Sequence, residues 1–319
     1  MLGQVLSGLP IPSDSRILTK FDQAEDAAVY QISEDRALVS TMDVITPLVD
    51  DPLSFGRIAA SNAISDVFAM GARPLFSLSF LGTPKGMEPL IARDILAGGG
   101  ELALAAGAPI LGGHSVETED LLFGLAVIGE VDPKELWTND KLRPGLELIL
   151  TKPLGTGTLT TMLKRTGKDA SLIAEAIEGM EQTHAEVLPT LRKFGAITAT
   201  DVTGFGFLGH AAEMAHASDV GLDICVSDLP EYAGAKRSLD DGFVTRANQR
   251  NLSYVESMLG PIAGEVTPLL LDPQTAGGLL VAIRPESLMP CLNELRGQGC
   301  IKIARVGRVR EGAGITLLA

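Results

Sequence analysis

Short apolar runs of strand length alternate along this chain with long stretches of helical periodicity, and that alternation restricts it to sheets covered by helices. Residues 28–32 and 37–42 read as two strands joined by the polar turn Ser33-Glu34-Asp35. A helix capped by Ser54 follows to about Met70, where Gly71 and Pro74 stop it. A buried strand over 75–81, a second long helix over 89–106, a short strand over 109–111 and a strand over 121–131 complete the first half. This order predicts an α/β (α+β) arrangement, a mixed sheet with helices on one face. Gly98, Gly99 and Gly100 fall inside the second helix. Each costs ~1 kcal/mol there, so close packing or backbone approach is expected to compensate.

A polar stretch over 133–144 holds the only tryptophan, Trp137, and marks a domain boundary. The division expected is a residual segment over 1–20, an N-terminal nucleotide-binding domain over 21–135 and a C-terminal domain over 145–319. In the second half, 146–152, 197–200, 222–226, 279–283 and 302–309 read as strands. Residues 171–194, 209–217 and 286–297 read as helices, and 231–265 as polar and irregular. With 45% hydrophobic residues but only 4% aromatics, the core must be built from Leu, Ile, Val and Ala.

The net charge of −14 argues against nucleic acid as a partner, since phosphate neutralisation calls for a basic surface. Cys225, Cys291 and Cys300 form no Cys-x-x-Cys pair and have no histidine at ligand spacing, which disfavours a disulfide framework or a zinc site. No run reaches the ~18 apolar residues that span a bilayer, and the N-terminus lacks a signal-peptide pattern. The expectation is a cytoplasmic protein with no membrane partner.

Four aspartates carry the chemistry. Asp26, Asp43 and Asp66 end or follow apolar runs, and Asp201 opens the turn Asp-Val-Thr-Gly-Phe-Gly. Carboxylates favour hard cations such as Mg²⁺, which hold nucleotide phosphates, so the pattern points to an ATP-using enzyme. Asn62 and Asp66 are four apart and share a helix face. The glycines of Gly112-Gly113-His114-Ser115 let backbone amides approach a phosphate. Gly204-Phe-Gly-Phe-Leu-Gly209 matches a dinucleotide fingerprint literally, but that reading leaves the other aspartates unexplained. Asp272-Pro-Gln-Thr-Ala-Gly-Gly278 reads as a tight turn before a strand. No Walker A loop is present: Gly155-Thr-Gly-Thr-Leu-Thr-Thr lacks the lysine. No Ser/His/Asp triad follows from spacing, and His184, His210 and His216 read as surface or helix-packing residues.

Glu25-Asp-Ala-Ala-Val29, Ser40-Thr-Met-Asp43, Phe55 to Asp66, Phe68-Ala-Met-Gly71, Gly112 to Ser115, Leu150-Thr-Lys-Pro-Leu-Gly155, Asp201 to Gly206 and Asp272 to Leu280 together resemble selenophosphate synthetase (selenide, water dikinase). The resemblance covers nearly the whole chain in order. Shorter pieces such as Asp-Ala-Ala-Val also occur in aminoimidazole ribonucleotide synthetase and thiamine-monophosphate kinase. It implies a two-domain aminoimidazole ribonucleotide synthetase-like fold with mixed sheets covered by helices, acting as a homodimer whose N-terminal domains pair through their sheets. The implied phosphotransferase reaction converts ATP, selenide and water to selenophosphate, AMP and orthophosphate. It requires Mg²⁺ and is commonly assisted by a monovalent cation such as K⁺. Carried onto this sequence, Asp26, Asp66 and Asp201 are metal ligands. Glu25, Asp43, Asp66, Gly113, His114 and Ser115 contact the nucleotide.

The family's glycine-rich segment with Cys or selenocysteine and an essential lysine does not precede Asp26 here, and Lys20 stands too close to Asp26 to be that lysine. The expectation is a chain that folds and binds Mg·ATP weakly but is inactive or impaired as given. The alternatives are a non-catalytic nucleotide-binding homologue or another ATP-dependent member of the superfamily.

Overall fold

A computed structural model describes residues 10, 13–20, 23–260 and 262–319. The described residues form two mixed sheets, and helix α1 (Pro52–Ala69) lies where they meet. The first sheet has five strands, β1 (Ala28–Gln31), β2 (Ala37–Ile45), β3 (Arg73–Thr83), β4 (Ile110–Glu117) and β5 (Leu122–Val131), in the order β1-β2-β5-β3-β4. Only β3 and β4 run parallel, joined through α2 (Pro89–Ala105). Val39, Phe123, Leu125 and Val127 point to the helices and are buried. On the other face Met42, Ala126 and Leu78 form one cross-strand row, with Met42 and Leu78 exposed. Among the described residues that face carries no helix, in line with the one-sided covering expected from the element order.

Helix α1 begins at Pro52, with the Asp51 carboxylate accepting from the Ser54 amide, so Asp51 and not Ser54 is the cap. Nearly all of α1 is buried, because one side meets the first sheet and α2 while the other meets the second half of the chain. Two of the three α2 glycines explain themselves. A Cβ on Gly98 would lie 2.1 Å from the Leu53 carbonyl oxygen, and one on Gly99 would strike the Phe123 ring, whereas Gly100 faces open space. The backbones of α1 and α2 approach closely at these positions, which offsets the glycine cost in helix propensity.

The second sheet has six strands. These are β6 (Glu147–Leu150), β7 (Thr198–Asp201), β8 (Gly221–Cys225), β9 (Leu279–Ile283), β10 (Ala304–Arg310) and β11 (Ile315–Leu318), ordered β11-β8-β10-β6-β9-β7. The stretch 171–194 is not one helix. It breaks into a 3₁₀ turn, α4 (Ala174–Glu181) and α5 (Val187–Lys193), with Gln182–Glu186 looping between them. Three further helices lie where the sequence reading placed none: α3 (Thr156–Thr166), α7 (Ala235–Asp240) and α8 (Ala247–Leu259). Helices α6 (Gly206–Ala217) and α9 (Pro285–Gly297) fall close to their expected places. The Gly-Gly-His-Ser segment is strand rather than loop, since it forms the middle of the exposed edge strand β4. Among the described residues no helix is long and apolar enough to cross a membrane.

Candidate active site

Four carboxylates converge from four places in the chain. Asp26 precedes β1, Asp43 lies on the helix-facing side of β2, Asp66 comes from the last turn of α1, and Asp201 ends β7. Asp201 is 1% exposed; the other three are half-buried. Their partners are neutral: the Thr200 hydroxyl donates to Asp26 at 2.9 Å, Thr41 to Asp66, and the Asn62 amide to Asp43 at 2.5 Å. Among the described residues none of the four makes a salt bridge. Burial, with Asp201 next, holds Asp26 and Asp66 well above the usual carboxylate range, and burial also raises Asp201. Asp43 is pushed up to about 6 by burial and by Asp201. One Asp201 oxygen, Oδ2, is buried without a hydrogen-bond partner. A buried oxygen left unpaired costs free energy, and a bound cation is one way to satisfy it. Among the described residues no three acidic, cysteine or histidine side chains stand close enough to hold a metal ion as they are, so ligation requires side-chain rotation. The donors, all carboxylate oxygens, suit a hard cation.

Asn62 connects this cleft to the Asp272–Gly278 turn. Its Oδ1 accepts from the Ala276 amide at 2.8 Å while its Nδ2 donates to Asp43. Ala276 has φ +47°, a left-handed conformation that a non-glycine residue adopts only under constraint. The constraint comes from Lys152, which is 6% exposed. Its Nζ donates to the carbonyls of Ala276 at 2.8 Å and Gln182 at 2.6 Å. Burial lowers the Lys152 ammonium to about 7, with Asp201 opposing that shift. Sequence reasoning passed over Lys152. The available signal was a lysine directly after the apolar run Leu148-Ile-Leu-Thr151, which forms a buried strand and its exit.

Glu25, next to Asp26 in the chain, receives the Asn139 amide at 3.2 Å, and burial raises it to about 7. Gly113, His114 and Ser115 are not brought to the carboxylates. Asp43 pairs with Leu125, Leu125 with Ser79 and Ser79 with Gly113, so three strand spacings, ~14 Å, separate Asp43 from Gly113. The dinucleotide fingerprint has no support: Asp223 on β8, its would-be ribose ligand, is paired with Arg308 at 3.0 Å and Arg310 at 3.1 Å.

The chain matches the family "AIR synthase related protein, N-terminal domain" over residues 24–131 and "AIR synthase related protein, C-terminal domain" over 143–319. It is 41% identical over 297 residues to selenide, water dikinase of Desulfitobacterium hafniense strain DSM 10664 / DCB-2, covering 92% of this chain and 87% of that one. It is 39% identical over 318 residues to selenide, water dikinase of Geobacter sp. strain M21, covering 99% and 92%. The chain belongs to the selenide, water dikinase family. It is thereby an enzyme of the two-domain AIR synthase type, as the sequence motifs implied. The fold extends further. A structure of thiamine monophosphate kinase from Aquifex aeolicus matches with TM-score 0.69 at 19% identity, over 92% of this chain and 90% of that one. The hydrogenase maturation protein HypE in complex with ATP matches with TM-score 0.69 at 20% identity, over 97% and 86%. In this chain the acidic cluster lies where α1 meets the second sheet, drawing on both halves of the fold. The expectation that the family's glycine-rich segment and its lysine are missing before Asp26 falls mostly on residues 1–9, 11, 12, 21 and 22, which lie outside the described residues.

Proposed function

We propose that the cleft binds Mg·ATP and passes its γ-phosphoryl group to selenide, giving selenophosphate, with the β-phosphoryl then released to water as orthophosphate and AMP left behind. The observation that carries this reading is the group of carboxylates around the unpaired Asp201 Oδ2, none with a salt-bridge partner among the described residues, in a chain about 40% identical to selenide, water dikinases. Asp26, Asp66 and Asp201 would hold Mg²⁺, which when bound neutralises phosphate charge in an in-line transfer. Asp43, fixed by Asn62, and Glu25, fixed by the Asn139 amide, border the space the nucleotide takes. A K⁺ ion among the remaining carbonyl and carboxylate oxygens fits the same acidic setting.

The site works as a homodimer in this reading. The bare face of the first sheet, with Met42, Phe76, Leu78 and Ile128, is an apolar surface that a second copy covers. Because Gly113, His114 and Ser115 lie ~14 Å from Asp43 in their own chain, they serve the cleft of the neighbouring copy. The protein is proposed to work in the cytoplasm.

Calorimetry tests the central claim. ATP should bind in the presence of Mg²⁺ and not in EDTA, and Asp66→Asn should remove the Mg²⁺-dependent part. Equal affinity with and without the cation would refute the reading. Phosphorus NMR of ATP with selenide then reports the products.

A further inference from the structure

Behind the acidic cleft lies a hydroxyl–imidazole–carboxylate chain that the phosphoryl-transfer reading leaves unused. The Thr203 hydroxyl, two residues beyond Asp201, lies 3.3 Å from His210 Nε2. His210 Nδ1 lies 3.2 Å from Glu213 Oε2, close enough for an ion pair but not aligned as a hydrogen bond. The second Glu213 oxygen accepts from the Tyr254 hydroxyl at 2.8 Å. His210 and Glu213 are 6% and 7% exposed, whereas Thr203 is half-buried. The Phe205 ring stacks on Tyr254 at 4.6 Å and leans on His210 at 5.9 Å, closing the outer side of the imidazole.

Ordinary helix packing does not require this arrangement. Glu213 Oε2, 3.2 Å from Nδ1, takes an Nδ1 proton once the ring turns into line, and that tautomer leaves the Nε2 lone pair facing Thr203. Tyr254 occupies the other carboxylate oxygen, so Glu213 is held for His210. Thr203 is placed by its own backbone, since its carbonyl accepts from the amides of Gly206 at 3.0 Å and Gln274 at 2.9 Å. The result is a hydroxyl beside the acidic cleft whose proton has a buried acceptor. The loose Nδ1 contact matches the general behaviour of relays that tighten when substrate binds.

We propose that Thr203, His210 and Glu213 form the proton relay that activates the water of the second half-reaction. The inference rests on the reading above, that an ADP-level β-phosphoryl group is hydrolysed in this cleft. The step balances without further reactants. The water oxygen bonds to the β-phosphorus and the bond from that phosphorus to the bridging oxygen breaks. AMP departs with the bridging oxygen, and orthophosphate forms. One water proton passes to the Thr203 hydroxyl as the hydroxyl's own proton moves to His210 Nε2, and Glu213 balances the imidazolium. Thr203 is the catalytic residue of the relay; His210 and Glu213 act through it.

The experiment has two arms, and their failures are distinguishable. In the first, the full chain with ¹⁵N-labelled histidine is examined by NMR without nucleotide or metal. The His210 ring is expected as the Nδ1-protonated tautomer, and Glu213→Gln is expected to shift it toward the other. An Nε2-protonated ring in the wild type overturns the relay whatever the enzyme's activity. In the second arm, ATP, Mg²⁺ and selenide are supplied and AMP and ADP are separated by chromatography. His210→Asn and Thr203→Val are expected to lower AMP formation by about a hundredfold while ADP accumulates, and Thr203→Ser is expected to restore most of it. Equal loss of ADP and AMP formation in Thr203→Val, or unchanged AMP formation, overturns the proposal. A wild type that makes no AMP counts against the function reading, and the tautomer arm then decides the relay alone.

Discussion

Asp201 and Asp272 are both almost wholly buried, yet the chain treats them in opposite ways. Asp272 faces backbone and amide donors: its Oδ2 accepts from the Thr158 amide at 3.1 Å and from Gln274 Nε2 at 3.2 Å at the start of α3. Gln274 Oε1 takes the amides of Gly155 and Thr156 beside it. Together they satisfy the free N–H groups of a helix N-terminus that has no capping side chain of its own. Each has one oxygen without a partner, Asp201 Oδ2 and Asp272 Oδ1, but Asp201 faces Asp26, Asp43 and Asp66. One carboxylate completes a fold contact. The other, left unpaired among like charges, is set up for something that arrives later.

Substitution should separate the two most sharply. Asp201→Asn and Asp66→Asn are expected to cut turnover by about a hundredfold or more, the scale seen when one electrostatic stabiliser of a transition state is removed. Both variants should fold at least as stably as the wild type, because each removes a buried like charge. Asp272→Asn should leave Mg²⁺-dependent nucleotide affinity within about twofold. Titration calorimetry beside steady-state rates checks all three. An Asp272→Asn variant that lost nucleotide affinity while keeping its stability would remove the distinction between the two carboxylates.

The pH dependence of the metal-free protein comes next in size. Glu25 at about 7, Asp43 at about 6, and Asp26, Asp66 and Asp201 all have folded values raised above their unfolded values near 4. A group raised in this way keeps its proton when folded and gives it up when unfolded. The folded state therefore loses relative stability as pH climbs from about 4 through the raised values. Denaturant titrations in EDTA should show stability falling between pH 5 and 8 by several kcal/mol, and Mg²⁺ should recover most of the loss at pH 8. A flat profile would mean that the cluster is already compensated.

The aspartates, the order of elements and the one-sided first sheet could be read from the sequence because each left a local mark: a polar residue at the end of an apolar run, or a change of period. His210 and Glu213 left none, and Lys152 left only its place after an apolar run, which does not reveal its partners. Lys152 is held by carbonyls 30 and 124 residues away along the chain, and the link from Asn62 to Ala276 spans 214 residues. The helices α3, α7 and α8 escaped for a related reason. The first turns of α3 and α8 carry Thr, Gly and Asn, which have weak helical propensity, and the Asp272–Gln274 cap holds α3 instead, whereas α7, Ala-Lys-Arg-Ser-Leu-Asp, is too short to show a helical period. The placement of Gly113 to Ser115 in an edge strand was hidden because glycines read as loop, whereas pairing with β3 extends them.

Asp272 offers a smaller test. Its carboxyl is raised by burial to about 7 from the usual carboxylate range near 4, a difference worth at most about 4 kcal/mol at pH 8. An asparagine keeps an acceptor for Thr158 and places an uncharged amide where Oδ1 has no partner. Asp272→Asn should therefore match the wild type at pH 5 and exceed its stability at pH 8, flattening that part of the slope. Equal destabilisation at both values would show that the carboxylate is needed ionised.

The smallest expected effect concerns the residue that joins the two regions. Ala276 gives its amide to Asn62 on the side of the acidic cleft and its carbonyl to Lys152, four residues beyond Asp272. Its φ of +47° costs an alanine about 1–2 kcal/mol, whereas glycine adopts it without strain but loses about 0.5–1 kcal/mol more in chain entropy. Ala276→Gly should then stabilise the protein by about 0.5–1 kcal/mol in urea titrations while leaving both backbone hydrogen bonds in place. If the strain serves to hold Asn62 against Asp43, the same substitution should raise KM for Mg·ATP modestly and leave kcat alone. Loss of stability on this substitution would mean that the alanine methyl packs in a way that outweighs its backbone strain, and the turn would then be a packing feature and not a strained hinge between the two carboxylate settings.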